Sequence, residues 1–199
     1  MMILYRLNPD QQTLIDRIGA LADAEIAPHA ADVDEKGRFP SEAMAALARD
    51  GYYGLTVPTD FGGMGQNLRV AAATVDAIAQ RCSSTAMVFL MHLCGVAAYS
   101  ANPQVASEQL RACAAGKHLA TLAWSERGSR SHFWAPVSQE IEDGEDVVLS
   151  GIKSWVTSAG YANGYVTTTR VACSENPIAI SLYVILDTDG GFEIEGSWH

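Results

Sequence analysis

Gly116-Lys117-His118-Leu119-Ala120-Thr121-Leu122-Ala123-Trp124-Ser125-Glu126 is the stretch on which the reading of this chain turns. Before it, apolar residues recur every three to four positions in an alanine-rich background. After it, short β-branched runs alternate with Gly and Asp turns. The hydrophobic period changes near Lys117. The expected class is therefore α+β: an all-α helical domain over residues 1–117, then a β domain over residues 118–199.

Working back from the switch, a fifth helix runs from Asn102-Pro103 to Gly116. The fourth contains the most apolar run, Ala86 to Tyr99, with Ser84 as its cap. That run is short for a bilayer span and carries His92, so it reads as a buried core helix. A third helix covers Leu68 to Arg81, with Leu68, Ala71, Val75 and Ile78 on one stripe. Between it and a second helix (Ser41 as cap, through Met44 and Leu47 to Gly51) lies the loop Val57-Pro58-Thr59-Asp60-Phe61-Gly62-Gly63-Met64-Gly65, whose glycines can take φ > 0. The first helix opens at Asn8-Pro9-Asp10-Gln11, a capping box with proline at the first helical position. Pro28 is expected to kink or end it.

Working forward, strands are expected over Leu119–Trp124, Val137–Ile141, Val147–Leu149, Ile152–Thr157, Tyr165–Val171 and Ile178–Leu186, with another starting at Phe192–Ile194. Asp143-Gly144 marks a hairpin.

The 23 acidic and 13 basic residues leave a net charge of -10, which argues against nucleic acid or an anionic membrane as the main partner. Four cysteines form no Cys-x-x-Cys pair and read as reduced thiols, pointing to a cytoplasmic location. The five histidines are scattered without ligand spacing, so no metal site is expected. Residues 1–10 hold no long apolar segment of the signal-peptide kind.

Three segments, in order, carry a resemblance. The first is Arg38-Phe39-Pro40, Leu47-Ala48, Gly51-Tyr52-Tyr53-Gly54-Leu55, Val57-Pro58 and Phe61-Gly62-Gly63-Met64-Gly65. The second is Leu122-Ala123-Trp124-Ser125-Glu126. The third is Gly151-Ile152-Lys153-Ser154-Trp155-Val156-Thr157-Ser158-Ala159-Gly160. Together they resemble the acyl-CoA dehydrogenase family across essentially the whole chain. The second is similar to that family's Thr/Ser-Glu-Pro-Gly-x-Gly-Ser-Asp loop and the third to its Gly-x-Lys-x-Trp-Ile-Thr-Asn-Gly strand.

The resemblance implies an N-terminal helical domain, a middle antiparallel β-barrel and a C-terminal helical bundle, with FAD between barrel and bundle. It implies α,β-dehydrogenation of an acyl-CoA in fatty acid metabolism, a carboxylate base removing the α-proton and flavin taking the β-hydride. Matched residue by residue, Ser125 hydrogen-bonds the flavin's pyrimidine edge, Trp155 packs against its ring system and Thr157 places a hydroxyl near N5. Backbone groups of Leu122, Trp124 and Val156 line the same site, and Ser131 lies close to the acyl-CoA. A homo-oligomer is implied for the complete protein. The motifs do not specify the electron acceptor or the acyl chain.

Each residue also has a plainer reading. Trp155 fits an ordinary barrel side chain, Thr157 a β-former, Ser125 and Ser131 turn residues, and Glu126 a surface or salt-bridge residue. The chain departs from the pattern at Arg127, where the family has proline, and over Ser129-Arg130-Ser131-His132-Phe133-Trp134, where the family has a glycine-rich turn. These departures keep open a flavin monooxygenase of the same fold, and a non-catalytic partner subunit remains a further alternative. No Glu matches the family's catalytic base. The sequence reads as an incomplete enzyme with an unfinished barrel, expected to be inactive alone, to hold FAD poorly, and to expose Leu90, Leu93 and Val96 on its fourth helix.

Overall fold

The computed structural model describes residues 4–129, 132, 134–144, 146–176 and 178–196. Two compact units emerge, one built on the residues up to Ala120 and the other on Thr121–Ile194.

In the first unit, α1 (Pro9–Leu21) starts at the expected box. Asn8 Oδ1 accepts from the Gln11 N–H at 2.9 Å, and Gln11 Oε1 accepts from the Asn8 N–H at 3.1 Å. The helix then loosens into a π turn (Ala22–Ile26) and tightens into a 3-10 turn (Ala27–His29) before α2 (Ala30–Lys36). Pro28 explains the irregularity, because it has no N–H to donate and its ring crowds the preceding turn.

α3 spans Ser41–Arg49, α4 Leu68–Ala79, α5 Ser83–Ala101 and α6 Ser107–Ala114. Their starts differ from expectation by a residue or two for α3 and α5, and by about five residues for α6, which begins at Ser107 rather than at Asn102-Pro103. Ser41 is the first helical residue of α3 rather than its cap, and Cys82, not Ser84, precedes α5 and accepts from the Thr85 N–H through sulfur. Asn67 caps α4 by accepting from the Arg69 and Val70 N–H groups.

α4 packs on α1 and α5, and α5 also packs on α6. Ile18, Leu47, Ile78, Phe89, Tyr99 and Leu110 are fully buried between them. By length and composition α5 would suffice to cross a membrane, yet one whole face of it is core. Leu93 (6% exposed) and Val96 (0%) belong to that face, contrary to expectation, whereas Leu90 (37%) does lie at the surface. The three lie at spacings of three on a helix, so the surface stripe passes through Leu90 and turns away from the other two.

Gly63 shows why the loop before α4 is glycine-rich. A Cβ there would lie 2.1 Å from the Val57 carbonyl oxygen. The Gly65 N–H donates to that same oxygen, closing the loop on itself.

The second unit is a five-stranded mixed sheet: β1 (Ala120–Ala123), β2 (Gln139–Asp143), β3 (Asp146–Ser150), β4 (Gly164–Arg170) and β5 (Ile180–Leu186). β2 and β3 form the expected hairpin, in register from Gln139↔Ser150 to Asp143↔Asp146, with Gly144 at φ 67° in the turn. β4 and β5 pair antiparallel from Gly164↔Leu186 to Arg170↔Ile180. The remaining edge of β4 is shared, with β1 on one stretch and β2 meeting it in parallel at Gln139↔Arg170.

That parallel bridge corrects the wholly antiparallel expectation. The cause is the segment 151–163. It was expected to contain a strand over Ile152–Thr157, but it forms no strand. Trp155 and Ser158 have φ of 57° and 67°, which breaks the extended alternation. The segment instead returns the chain so that β4 runs in the same direction as β2. Phe192–Ile194 is not a strand either; the Phe192 ring lies 4.7 Å from that of Tyr165.

Candidate flavin-binding loops

Two loops of the second unit hold most of the residues singled out above. One follows β1, at Trp124-Ser125-Glu126. The other is the non-strand segment 151–158. The Ser154 N–H donates to the Ser125 carbonyl at 2.8 Å. The Thr121 hydroxyl donates to the Thr157 carbonyl at 2.6 Å. Ser125 and Trp155–Thr157, about thirty residues apart in sequence, are thereby brought together.

Leu122, Trp124, Ser125, Val156 and Thr157 are half-buried, whereas Trp155 is 93% exposed. The barrel-core reading of Trp155 therefore fails. Its backbone takes a left-handed conformation that is unusual for a bulky residue and costs about 1–2 kcal/mol. Such strain persists only where the surroundings over-determine it. Ser131 lies outside the described residues. In the loop that departs from the family pattern, the rings of His132 and Trp134 are 5.0 Å apart.

Under the two loops sits a buried charge. Lys153 Nζ donates to Glu126 Oε1 at 2.6 Å and also to the Thr168 carbonyl. Glu126 Oε2 accepts from the Ser138 N–H at 3.0 Å and from the Val137 N–H, and Oε1 accepts from the Ser138 hydroxyl. Burial on its own pushes the Glu126 carboxyl up. Lys153, Ser138 and the two N–H groups outweigh that and hold it below its ordinary value. Gly151 permits the approach, since a Cβ there would lie 2.7 Å from the Ser138 Cβ. The salt-bridge reading of Glu126 was right in kind, but the pair is buried rather than superficial. The partner was in plain view, as the lysine two residues before Trp155.

The donor set suits a flavin. An indole held out from the protein offers a flat face for a planar ring system. No hydrogen bond among the described residues occupies the hydroxyls of Ser125 or Thr157. The Ser158 hydroxyl is fully buried and has no partner among the described residues. Among the described residues, no cluster of His, Cys, Asp and Glu could hold a metal.

Residues 8–117 match the family profile "Acyl-CoA dehydrogenase, N-terminal domain". The chain belongs to the acyl-CoA dehydrogenase family. The probable acyl-CoA dehydrogenase fadE25 of Mycobacterium leprae is 31% identical over 193 residues, covering 96% of this chain and 50% of that protein. Among solved structures, a probable acyl-CoA dehydrogenase from Mycobacterium abscessus superposes with a TM-score of 0.82 at 25% identity, covering 95% of this chain and 51% of that one. KijD3, solved with FMN and a dTDP-amino-keto-sugar, superposes at 0.83 with 26% identity, covering 96% and 48%. The chain spans about half the length of the relatives it matches.

Proposed function

We propose that this chain supplies one wall of an FAD site in a cytoplasmic oxidoreductase that α,β-dehydrogenates an acyl-CoA. The observation that carries the reading is the Ser154–Ser125 backbone bond, which ties the backbone of Ser125 to the segment leading into Trp155–Thr157. Bound FAD would supply the hydride acceptor. The chain's own residues bind and orient. Ser125 and Thr157 present hydroxyls to the ring's polar edges, Trp155 covers a face, and backbone groups of Leu122, Trp124 and Val156 line the rim. Ser131 is the residue proposed to lie beside the acyl-CoA. None of the residues described is assigned the role of proton-abstracting base. Homo-oligomerisation is part of the same reading.

The test is anaerobic titration of the FAD-reconstituted protein that carries this chain. Bleaching of the oxidised flavin band by an acyl-CoA is expected. A flavin that stays oxidised across acyl-CoAs of several chain lengths would refute dehydrogenation.

A second reading, a flavin monooxygenase, is favoured by the aromatic His132–Trp134 pair in the departing loop. It predicts no bleaching by acyl-CoA. The reduced flavin would instead consume oxygen faster when an amine or aromatic substrate is present.

A further inference from the structure

The buried Glu126–Lys153 pair offers more than ballast for the sheet. The two loops that carry Ser125 and Trp155–Thr157 have no strand ladder between them, because the segment 151–158 is not extended. Point contacts replace the ladder: the Ser154–Ser125 backbone bond, the Thr121 hydroxyl on the Thr157 carbonyl, and the ion pair. Of these three, only the ion pair is charged, and only it ties both loops to a third place. Glu126 reaches the Val137 and Ser138 backbone, and Lys153 reaches the Thr168 carbonyl on β4.

Glu126 immediately follows Ser125, and Lys153 precedes the left-handed Trp155 by two residues. A shift of either charged side chain therefore moves a candidate flavin group directly. A left-handed tryptophan exposed to solvent has little packing of its own to hold it, so its setting must come from its neighbours along the chain.

We infer that Glu126 and Lys153 are positioning residues for the flavin, setting the spacing between the Ser125 hydroxyl and the Trp155 indole through their buried ion pair. This rests on the FAD reading above. A purely structural pair would matter only to folding; a positioning pair matters to the cofactor even when folding is restored.

The experiment compares Lys153→Met with the double variant Glu126→Gln/Lys153→Met in the full protein that carries this chain. Lys153→Met strands a buried carboxylate and is expected to lower the melting temperature of the apoprotein. The double variant removes both charges. The amide oxygen introduced by Glu126→Gln can still accept from the Val137 and Ser138 N–H groups. The thioether chain introduced by Lys153→Met fills the volume of the lysine stem. The double variant should therefore melt close to wild type.

The readouts are the FAD dissociation constant, from quenching of FAD fluorescence, and the shape of the bound flavin's visible bands. The double variant is expected to bind FAD at least tenfold more weakly, with displaced bands, despite its restored melting temperature. An FAD constant within twofold of wild type and unchanged bands in the double variant would overturn the positioning role and leave the flavin reading intact. A wild-type protein that binds no FAD would overturn both.

Discussion

The backbone N–H of Ala120 donates to Nδ1 of His92 at 3.1 Å, while the other ring nitrogen of His92 lies 2.9 Å from the carbonyl of Tyr53. The two contacts fix the tautomer: Nδ1 accepts and Nε2–H donates, so the imidazole is neutral. Burial pushes its pKa down; the Tyr53 carbonyl opposes that, His118 adds to it, and the result is about 4. The folded value lies below the ordinary value of 6.5, so the unfolded chain binds the extra proton first. Stability from this group is full above about pH 6.5, declines as pH falls, and is lost below about pH 4, a change of roughly 3 kcal/mol. Urea denaturation followed by the helical signal should therefore show a smaller loss between pH 7 and pH 4.5 in His92→Gln than in wild type. Gln can form both hydrogen bonds without titrating. Equal losses in the two proteins would refute the assignment.

Trp155 is nearly fully exposed, so truncating it removes little packing. Trp155→Ala should leave the thermal midpoint within the range of a surface change, about 0.5 kcal/mol. The same variant, and Thr157→Ala, should weaken FAD retention in the complete protein about tenfold. Loss of stability without loss of flavin would mean that the indole serves the fold and not the cofactor.

Ser158 combines φ of 67° with a buried hydroxyl that has no partner among the described residues. Ser158→Gly removes both burdens, and the extra backbone entropy of glycine in the unfolded chain offsets part of the gain. A net stabilisation of about 1 kcal/mol is expected in chemical denaturation. A destabilised variant would show that the hydroxyl has a partner it needs.

Gly63→Ala should act in the opposite direction. The new methyl would collide with backbone at Val57, which a rotamer change cannot relieve. A loss of about 3 kcal/mol, read from the helical unit's unfolding, is expected. A variant of wild-type stability would mean that the loop from Pro58 to Gly65 can be redrawn cheaply.

Much of this is legible in the sequence itself. Local chemistry carried α1, because Asn8, Pro9 and Gln11 act within one turn, and it carried the β2–β3 hairpin through Gly144. The switch near Lys117 survived because hydrophobic period is a long-window signal. What misled was the segment Ile152–Thr157. Its β-branched residues read as a strand, yet the anchoring of Lys153 and the left-handed settings of Trp155 and Ser158 are tertiary facts that override propensity. The same holds for Leu93 and Val96: their burial depends on which way α5 faces its neighbours, and its nearly all-apolar sequence could not say.

The shared edge of β4 has a consequence in time. Every residue of β4 from Gly164 to Thr169 is buried, and β5 covers one edge over its full length while β1 and β2 divide the other. β3, by contrast, pairs only with β2 among the described residues and is largely exposed. Solvent deuterium should therefore enter this sheet from one side. Amides of β3 exchange first, those of β2 follow once the hairpin frays, and those at the centre of β4 wait for the unit to open as a whole.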